Sequence, residues 1–243
     1  MTPPSLRERR RTAATQEILD AAERQITEHG PVALSLRAVA RDLQMTVQAL
    51  YHYFPSRDAL VTALVTKAYD DLADAVQAAV DGAADEANLP RLVVAAEGYR
   101  GWAIAHPERF QLLYGTPLRD YAAPAEGPTT RASRRMSAIF ERELFAGFST
   151  AQLAAAEGPV LSSSLRAYLE QLPHFGMGRL PPPATALFLS AWGHLHGLVT
   201  LEVFGHTAFL DGHQDELFRR AIRNLLEDIH RRIPADVTSG RGR

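Results

Sequence analysis

"LSLRAVARDLQMTVQALYHYFPSRDALV", residues 34–61, holds two short stretches of helical spacing on either side of a corner of about three residues. Ser35 can cap the first, whose Leu36, Val39, Ala40 and Leu43 fall at i, i+3, i+4 and i+7. Thr46 can cap the second, which is predicted to run to Phe54 and to hide Leu50 and Phe54, four apart, on one side. Gln48 and His52 then stand on the opposite side, flanked by Tyr51. Pro55 and Ser56 end this helix, and Ser56 is placed to cap a much longer one from Arg57 to about Gly82. Upstream, a run from Thr12 places Ile18, Leu19, Ala22 and Ile26 at helical spacing and stops at Gly30-Pro31. Two short helices at a tight corner, braced by a third, form the helix-turn-helix arrangement that sets its second helix in the DNA major groove.

Outward from this unit the chain stays helical in pattern. Runs are predicted at 88–105, 107–114, 129–146, 150–171, 183–205 and 213–233, broken by "GTPLRDYAAPAEGP" (115–128) and "LPHFGMGRLPPP" (172–183). There is no period-two strand, no internal repeat and no glycine-rich phosphate loop, so the expected fold class is all-α. The 243 residues, 46% hydrophobic and 22% charged, can bury a substantial core, and a formal net charge of −2 leaves any electrostatic signal local. One such signal is "RERRR", residues 7–11, with net charge +3. It reads as part of a flexible basic arm, 1–11, able to lie along a phosphate backbone or enter a minor groove, and equally as a solvated, disordered terminus. The ending "PADVTSGRGR", 234–243, reads as a disordered tail. The chain has no cysteine, which excludes disulfide and thiolate chemistry and agrees with a reducing compartment. No apolar run reaches the roughly 18–20 residues of a membrane span, and no apolar segment follows the first charges, so the expected location is the cytoplasm.

Residues 12–66 resemble the DNA-binding region of the TetR family of bacterial transcriptional regulators. The likeness rests on the second helix, the turn, the ending Leu50-Tyr51-His52-Tyr53-Phe54, the short polar link and the long helix that follows. Two positions depart from the family pattern: Gln44 stands where glycine is usual, and Tyr53 where histidine is commoner. Gln44 is strained if its backbone is left-handed. The N-terminal residues of a recognition helix point to base edges, which assigns Thr46, Val47, Gln48 and Tyr51 to that role. Glutamine can bond adenine N6 and N7 together, and a valine methyl can meet a thymine methyl. Tyr51, His52 and Tyr53 offer donors to phosphate oxygens. Arg37 would reach a phosphate or a guanine, and Arg57 a phosphate. Against this, Tyr51 and Tyr53 also read as aromatics at the edge of a core.

In the second half, "YRGWAIAHPERFQLLYGTP" (99–117) and "AWGHLHGLVTLEVFGH" (191–206) are similar to the effector and dimerisation domain of one TetR subgroup, marked by Trp-x-x-x-His-Gly. Here that pattern is Trp192, His196 and Gly197. The resemblance implies a small apolar or aromatic effector in each subunit, and a homodimer in which helices 183–205 and 213–233 form a four-helix bundle with their twofold mates. From spacing alone, Trp192, His196, Val199 and Val203 share a face, Gly193 and Gly197 lie one turn apart on another, and Leu217, Ile222, Leu225, Leu226 and Ile229 form an apolar side, a pattern that suits dimer elements and subunit core equally. Pocket candidates are Tyr99, Trp102, Phe110, Tyr114, Phe140, Phe175, Phe188, Trp192 and His196, each of which also reads as ordinary core. His194 and His196, two apart, do not share a helix face, so no metal site and no cofactor is expected. Glu202 and His206 read as a solvated surface pair.

The domain plan is an arm at 1–11, a DNA-binding unit at 12–57, an effector and dimerisation domain at 58–233, and a tail. The function expected is a dimeric regulator, most often a repressor in this family, that binds a palindromic double-stranded operator and is released by its effector. An all-α enzyme using His194, His196 and Glu202 competes, but it lacks a nucleophile and an acid–base pair. A DNA binder without an effector competes as well.

Overall fold

The structure is a computed structural model that describes residues 5–83, 89–115, 121, 126–172 and 180–235, and among them no strand occurs. The helices are α1 (Leu6–His29), α2 (Leu36–Asp42), α3 (Val47–Tyr51), α4 (Arg57–Gly82), α5 (Arg91–Ala105) and α6 (Pro107–Tyr114). After them come α7 (Pro128–Phe145), α8 (Thr150–Ala154), α9 (Ser163–Gln171), α10 (Pro182–Val203) and α11 (Gln214–Arg231). None is long and apolar enough to cross a membrane.

The chain forms two compact units, Met1–Asp71 with His106–Ser133, and Leu72–Ala105 with Arg134–Arg243. This differs from a boundary at 57/58, for a reason of packing. Leu60, Val61, Leu64 and Val65 of α4 lie in the same core as Ile18 and Ile26 of α1, Val39 of α2 and Leu50 of α3, and Leu112 and Leu113 of α6 pack against it. Burying that first half of α4 gives a small three-helix unit the apolar area it lacks alone.

Local chemistry explains where the elements start and stop. α1 begins at Leu6, so residues 7–11 are helical and not a flexible arm. The cause is a capping box: the Ser5 hydroxyl accepts from the Glu8 amide at 3.2 Å, and the Glu8 carboxylate accepts from the Ser5 amide at 2.7 Å. These bonds hold the Glu8 carboxyl below the usual carboxylate range. α2 ends in a paired closure, with the Met45 amide on the Ala40 carbonyl at 2.8 Å and the Gln44 amide on that of Arg41 at 3.1 Å. Gln44 is the left-handed residue of that motif, at φ +54°. The run expected at 150–171 is two helices, since Gly158-Pro159 cannot continue a helix and Ser162 caps the second through the Leu165 amide at 3.2 Å. In the second unit α5 is the central helix. It buries Leu92, Val93, Ala95, Ala96, Tyr99, Trp102 and Ala103 and packs on α10 and α11.

Candidate nucleic-acid interface and effector cavity

In the first unit α3 is held from beneath and from its end. Leu50 is fully buried, and Val47 and Tyr53 are half-buried against the same core. The Thr46 hydroxyl accepts from the Ala49 amide at 3.1 Å, closing the N-terminus. At the other end Arg11 donates to the His52 carbonyl at 3.5 Å, and its guanidinium carbon lies 5.9 Å from the centre of the Tyr53 ring. A cation at a helix C-terminus is favourable, so Arg11 braces α3 and is not a loose arm charge. With its apolar side committed inward, α3 turns Gln48, Tyr51 and His52 to solvent, and Arg37 is exposed on α2. Arg57 is half-buried, and its Nε donates to the Leu34 carbonyl at 3.3 Å, tying the start of α4 to the entry of α2.

A charged network braces the same unit. Lys67, the chain's single lysine, lies 3.0 Å from Glu23 and 3.0 Å from Asp71. Arg109 of α6 lies 2.7 Å from Glu23 and 3.0 Å from Asp71, so α1, α4 and α6 share one set of ion pairs. Burial by itself would lower the Lys67 pKa, but its bonds to Asp71 and Glu23 outweigh that and hold it above the ordinary lysine value.

In the second unit Tyr99, Phe140, Trp192 and His196 form a cluster of rings. Tyr99 meets Phe140 and Trp192 edge-on at 5.9 and 5.5 Å, and Trp192 stacks on His196 at 5.5 Å. The Tyr99 hydroxyl lies 2.9 Å from His196 Nδ1, and Thr200 Oγ lies 3.4 Å from Nε2. Burial lowers the His196 pKa, which favours the neutral ring. Beside it is a cavity of about 20 Å³ lined by Leu92, Ala96, Phe140, Leu144, Phe188, Ala191, Trp192, Leu195, Ile222 and Leu225. The lining is entirely apolar, and the space holds about one water molecule.

Residues 18–64 match the family model described as bacterial regulatory proteins, tetR family, and residues 92–225 match that of a tetracyclin repressor-like C-terminal domain. The chain belongs to the TetR family of transcriptional regulators. It is 36% identical over 201 residues to the HTH-type transcriptional regulator Rv1816 of Mycobacterium tuberculosis (strain ATCC 25618 / H37Rv), which covers 81% of this chain and 85% of that one. It is also similar to the solved structure of SCO4313, with 33% identity and a TM-score of 0.71 over 93% of this chain and 100% of the other. The TetR-family regulator PfmR from Thermus thermophilus, 16% identical with a TM-score of 0.52, covers 86% of this chain and 97% of its own and shares the fold.

In this TetR-family regulator the candidate residues distribute unevenly. Thr46, Val47, Gln48, Tyr51, His52 and Tyr53 lie on or beside α3, but Val47 and Tyr53 divide between the core and the surface. Of the pocket candidates, Phe140, Phe188 and Trp192 line the cavity, and Tyr99 and His196 adjoin it through Trp192. Trp102 is buried on α5 but is not part of the lining. Phe110 and Tyr114 belong to the first unit, where their rings pair at 5.2 Å and Tyr69 meets Tyr114 at 5.9 Å. Phe175 lies outside the described residues.

Glu202 departs from its expected place. Glu202 is not a surface partner of His206: it takes an ion pair from Arg100, which also reaches Asp215 at 2.6 Å. His194 is exposed, so His194, His196 and Glu202 have three different surroundings, and no group of three His, Asp or Glu able to hold a metal occurs among the described residues. Of the apolar side of α11, Leu225 lines the cavity and Ile222, Leu226 and Ile229 are buried within their own chain, with Phe218 beside them, while Leu217 is 46% exposed. The residues that sequence reasoning missed are Arg11, whose bond to His52 spans 41 positions, and the aliphatic lining, which has no pattern apart from core.

Proposed function

We propose that the chain is a homodimeric repressor that binds a palindromic operator through α3 and is released by a neutral, apolar small molecule. The observation that carries the DNA-binding half is the solvent face of α3: an amide, an imidazole and a phenol (Gln48, His52 and Tyr51) stand exposed over a fully buried Leu50. On this reading Gln48 reads a base edge, while Tyr51, His52, Tyr53, Arg37 and Arg57 meet the phosphate backbone. Thr46 and Val47 lie at the groove-facing end of the helix. The helical arginines Arg7, Arg9 and Arg10 add non-specific attraction to phosphate from the exposed first turns of α1. A regulator of this kind works in the cytoplasm, alongside its DNA.

The effector half rests on the cavity and its rings. A lining without a single charged side chain suits an uncharged ligand, and the Tyr99–His196 pair beyond Trp192 offers one hydrogen-bonding handle. The Trp-x-x-x-His-Gly pattern supports membership of the subgroup that carries it. Ligand pockets have about 300–1,000 Å³. A ligand of that size therefore needs the cavity of about 20 Å³ to open, by movement of α5, α7, α10 or α11, which line it. α4 has residues 57–71 in the first unit and 72–82 in the second, so it is the natural lever between effector and DNA. Linkage sets the scale: an effector that lowers DNA affinity tenfold binds the DNA-bound form about 1.4 kcal/mol more weakly.

The test is binding of the protein to DNA from upstream of its own gene, measured across salt concentrations with and without apolar metabolite fractions. Salt-sensitive, sequence-selective binding relieved by one fraction supports the proposal. Binding that no fraction relieves favours a constitutive DNA binder, and no selective binding removes the reading.

A further inference from the structure

Gly98 stands in the middle of α5, and it is not one of the glycines at positive φ. Glycine at such a position weakens a helix relative to alanine, so what it provides here is space. A Cβ at residue 98 would lie 2.9 Å from the Ala79 Cβ, 3.3 Å from the Val76 Cα and 3.5 Å from the Ala75 carbonyl oxygen. All three atoms belong to α4, and none is the end of a side chain that could swing aside. The two helices therefore meet at Gly98 with nothing compliant between them, and packed protein transmits strain. Three residues on, a Cβ at Gly101 would meet nothing within 4 Å.

We infer that Gly98 is a positioning residue for DNA binding: it sets where α4 lies on α5 and passes movement of α5 on to α4. The inference rests on the proposed operator binding through α3 and adds the contact at which α4 is held. Leu92 and Ala96 of α5 line the cavity, and they lie roughly 120° and 160° around the helix from Gly98. α5 thus has the cavity on one side and α4 on the other, all within the second unit. α4 runs unbroken from Arg57 to Gly82, and its Leu60, Val61, Leu64 and Val65 lie in the core that holds Leu50 of α3. A shift received at Val76 and Ala79 is carried along that one helix toward α3.

The contact can be moved without any effector. Ordinary van der Waals contact begins at 3.4 Å, so a single methyl at residue 98 parts α4 from α5 by about 0.5 Å. Sub-ångström shifts between packed helices are enough to bias a larger rearrangement. An operator read by two α3 helices requires one spacing between them, and a displaced α4 spoils it whichever way it moves.

The test uses the full chain and the duplex that wild-type protein selects from a random pool, with affinity read by fluorescence anisotropy. Gly98→Ala is expected to lower operator affinity at least about fivefold, at unchanged helix content and oligomeric state. Gly101→Ala, the same change on the same helix where there is room, is expected to bind as wild type does. Adding Ala79→Gly to Gly98→Ala removes the nearest atom and is expected to restore most of the loss. Ala79→Val presses on the same contact from α4, is expected to give a similar loss, and serves in place of Gly98→Ala should that protein not fold. Folded Gly98→Ala or Ala79→Val that binds as tightly as wild type overturns the inference and leaves the operator reading standing. An equal loss in Gly101→Ala, or no recovery in the double variant, overturns it too, because the loss would not come from this contact. Unfolding of both Gly98→Ala and Ala79→Val makes Gly98 a packing residue alone and also overturns it. Wild-type protein that selects no duplex removes the operator reading, and the inference with it.

Discussion

Replacing Gln44 with glycine should make this protein more stable. Gln44 holds φ +54° at the corner between α2 and α3, where it closes α2 through its own amide and that of Met45. A Cβ in the left-handed region costs roughly 1–2 kcal/mol. Glycine removes that cost but adds freedom to the unfolded chain worth about 0.4–1 kcal/mol. The net gain is about 0.5–1 kcal/mol, or a midpoint rise of about 1–4 °C for a chain of this size. Gln44→Ala keeps the Cβ and should gain nothing. Gln44→Val adds branching at the same backbone and should fall below wild type. Calorimetry on the four proteins, with helix content monitored, gives the order Gly above Gln and Ala, and Val lowest. If Gly and Ala shifted the midpoint equally, the backbone at residue 44 would not be the source of strain and the corner would be misread.

Gln48→Ala should cost about 1–3 kcal/mol at one base position per half-site, read by competition between operator variants, whereas Arg37→Ala should weaken all sequences and flatten the salt dependence. Arg11→Ala leaves the end of α3 unbraced and should lower operator affinity while changing base preference little. His196 is held below the usual imidazole range by burial, so the folded state favours its neutral ring. The stability this contributes is complete above about pH 6.5 and is lost as pH falls from there through the lowered folded value; His196→Asn should flatten that slope in urea titrations at stepped pH. Trp192→Ala should enlarge the 20 Å³ cavity, cost about 2–4 kcal/mol of stability and blunt the effector response, with operator affinity retained in protein shown to be folded.

The parts of the fold legible in the sequence are those that local chemistry decides. The run Arg57–Gly82 stands between Pro55-Ser56 and Gly82, and α4 has those bounds. The strain at Gln44 was legible as well, because a left-handed closure is a property of one residue and its neighbours. The capping box of α1 was equally local, Ser5 with Glu8 three places on, but the arginines between and after them pointed to a disordered arm instead. What was not legible depends on distance. Nothing near Arg11 announces a bond to His52, and nothing near Phe110 and Tyr114 separates them from Tyr99, since all are aromatics at helical spacing. The cavity lining is mostly leucine and alanine, residue types that mark any core. Leu225 shows the same limit: an apolar side of α11 suits a dimer seam and a subunit core equally, and here Leu225 lines the cavity while Leu217 stays exposed.

The central claim is that α3 reads DNA as one of a symmetric pair. It is tested most directly by selection of bound sequences from a random pool of duplex DNA. We expect an inverted repeat whose half-sites are centred about one helical turn apart, roughly 34 Å, or a multiple of that, and whose enrichment changes at one position per half-site with Gln48→Ala. Enrichment of a single unrepeated site, or of no sequence at all by folded protein, would contradict it.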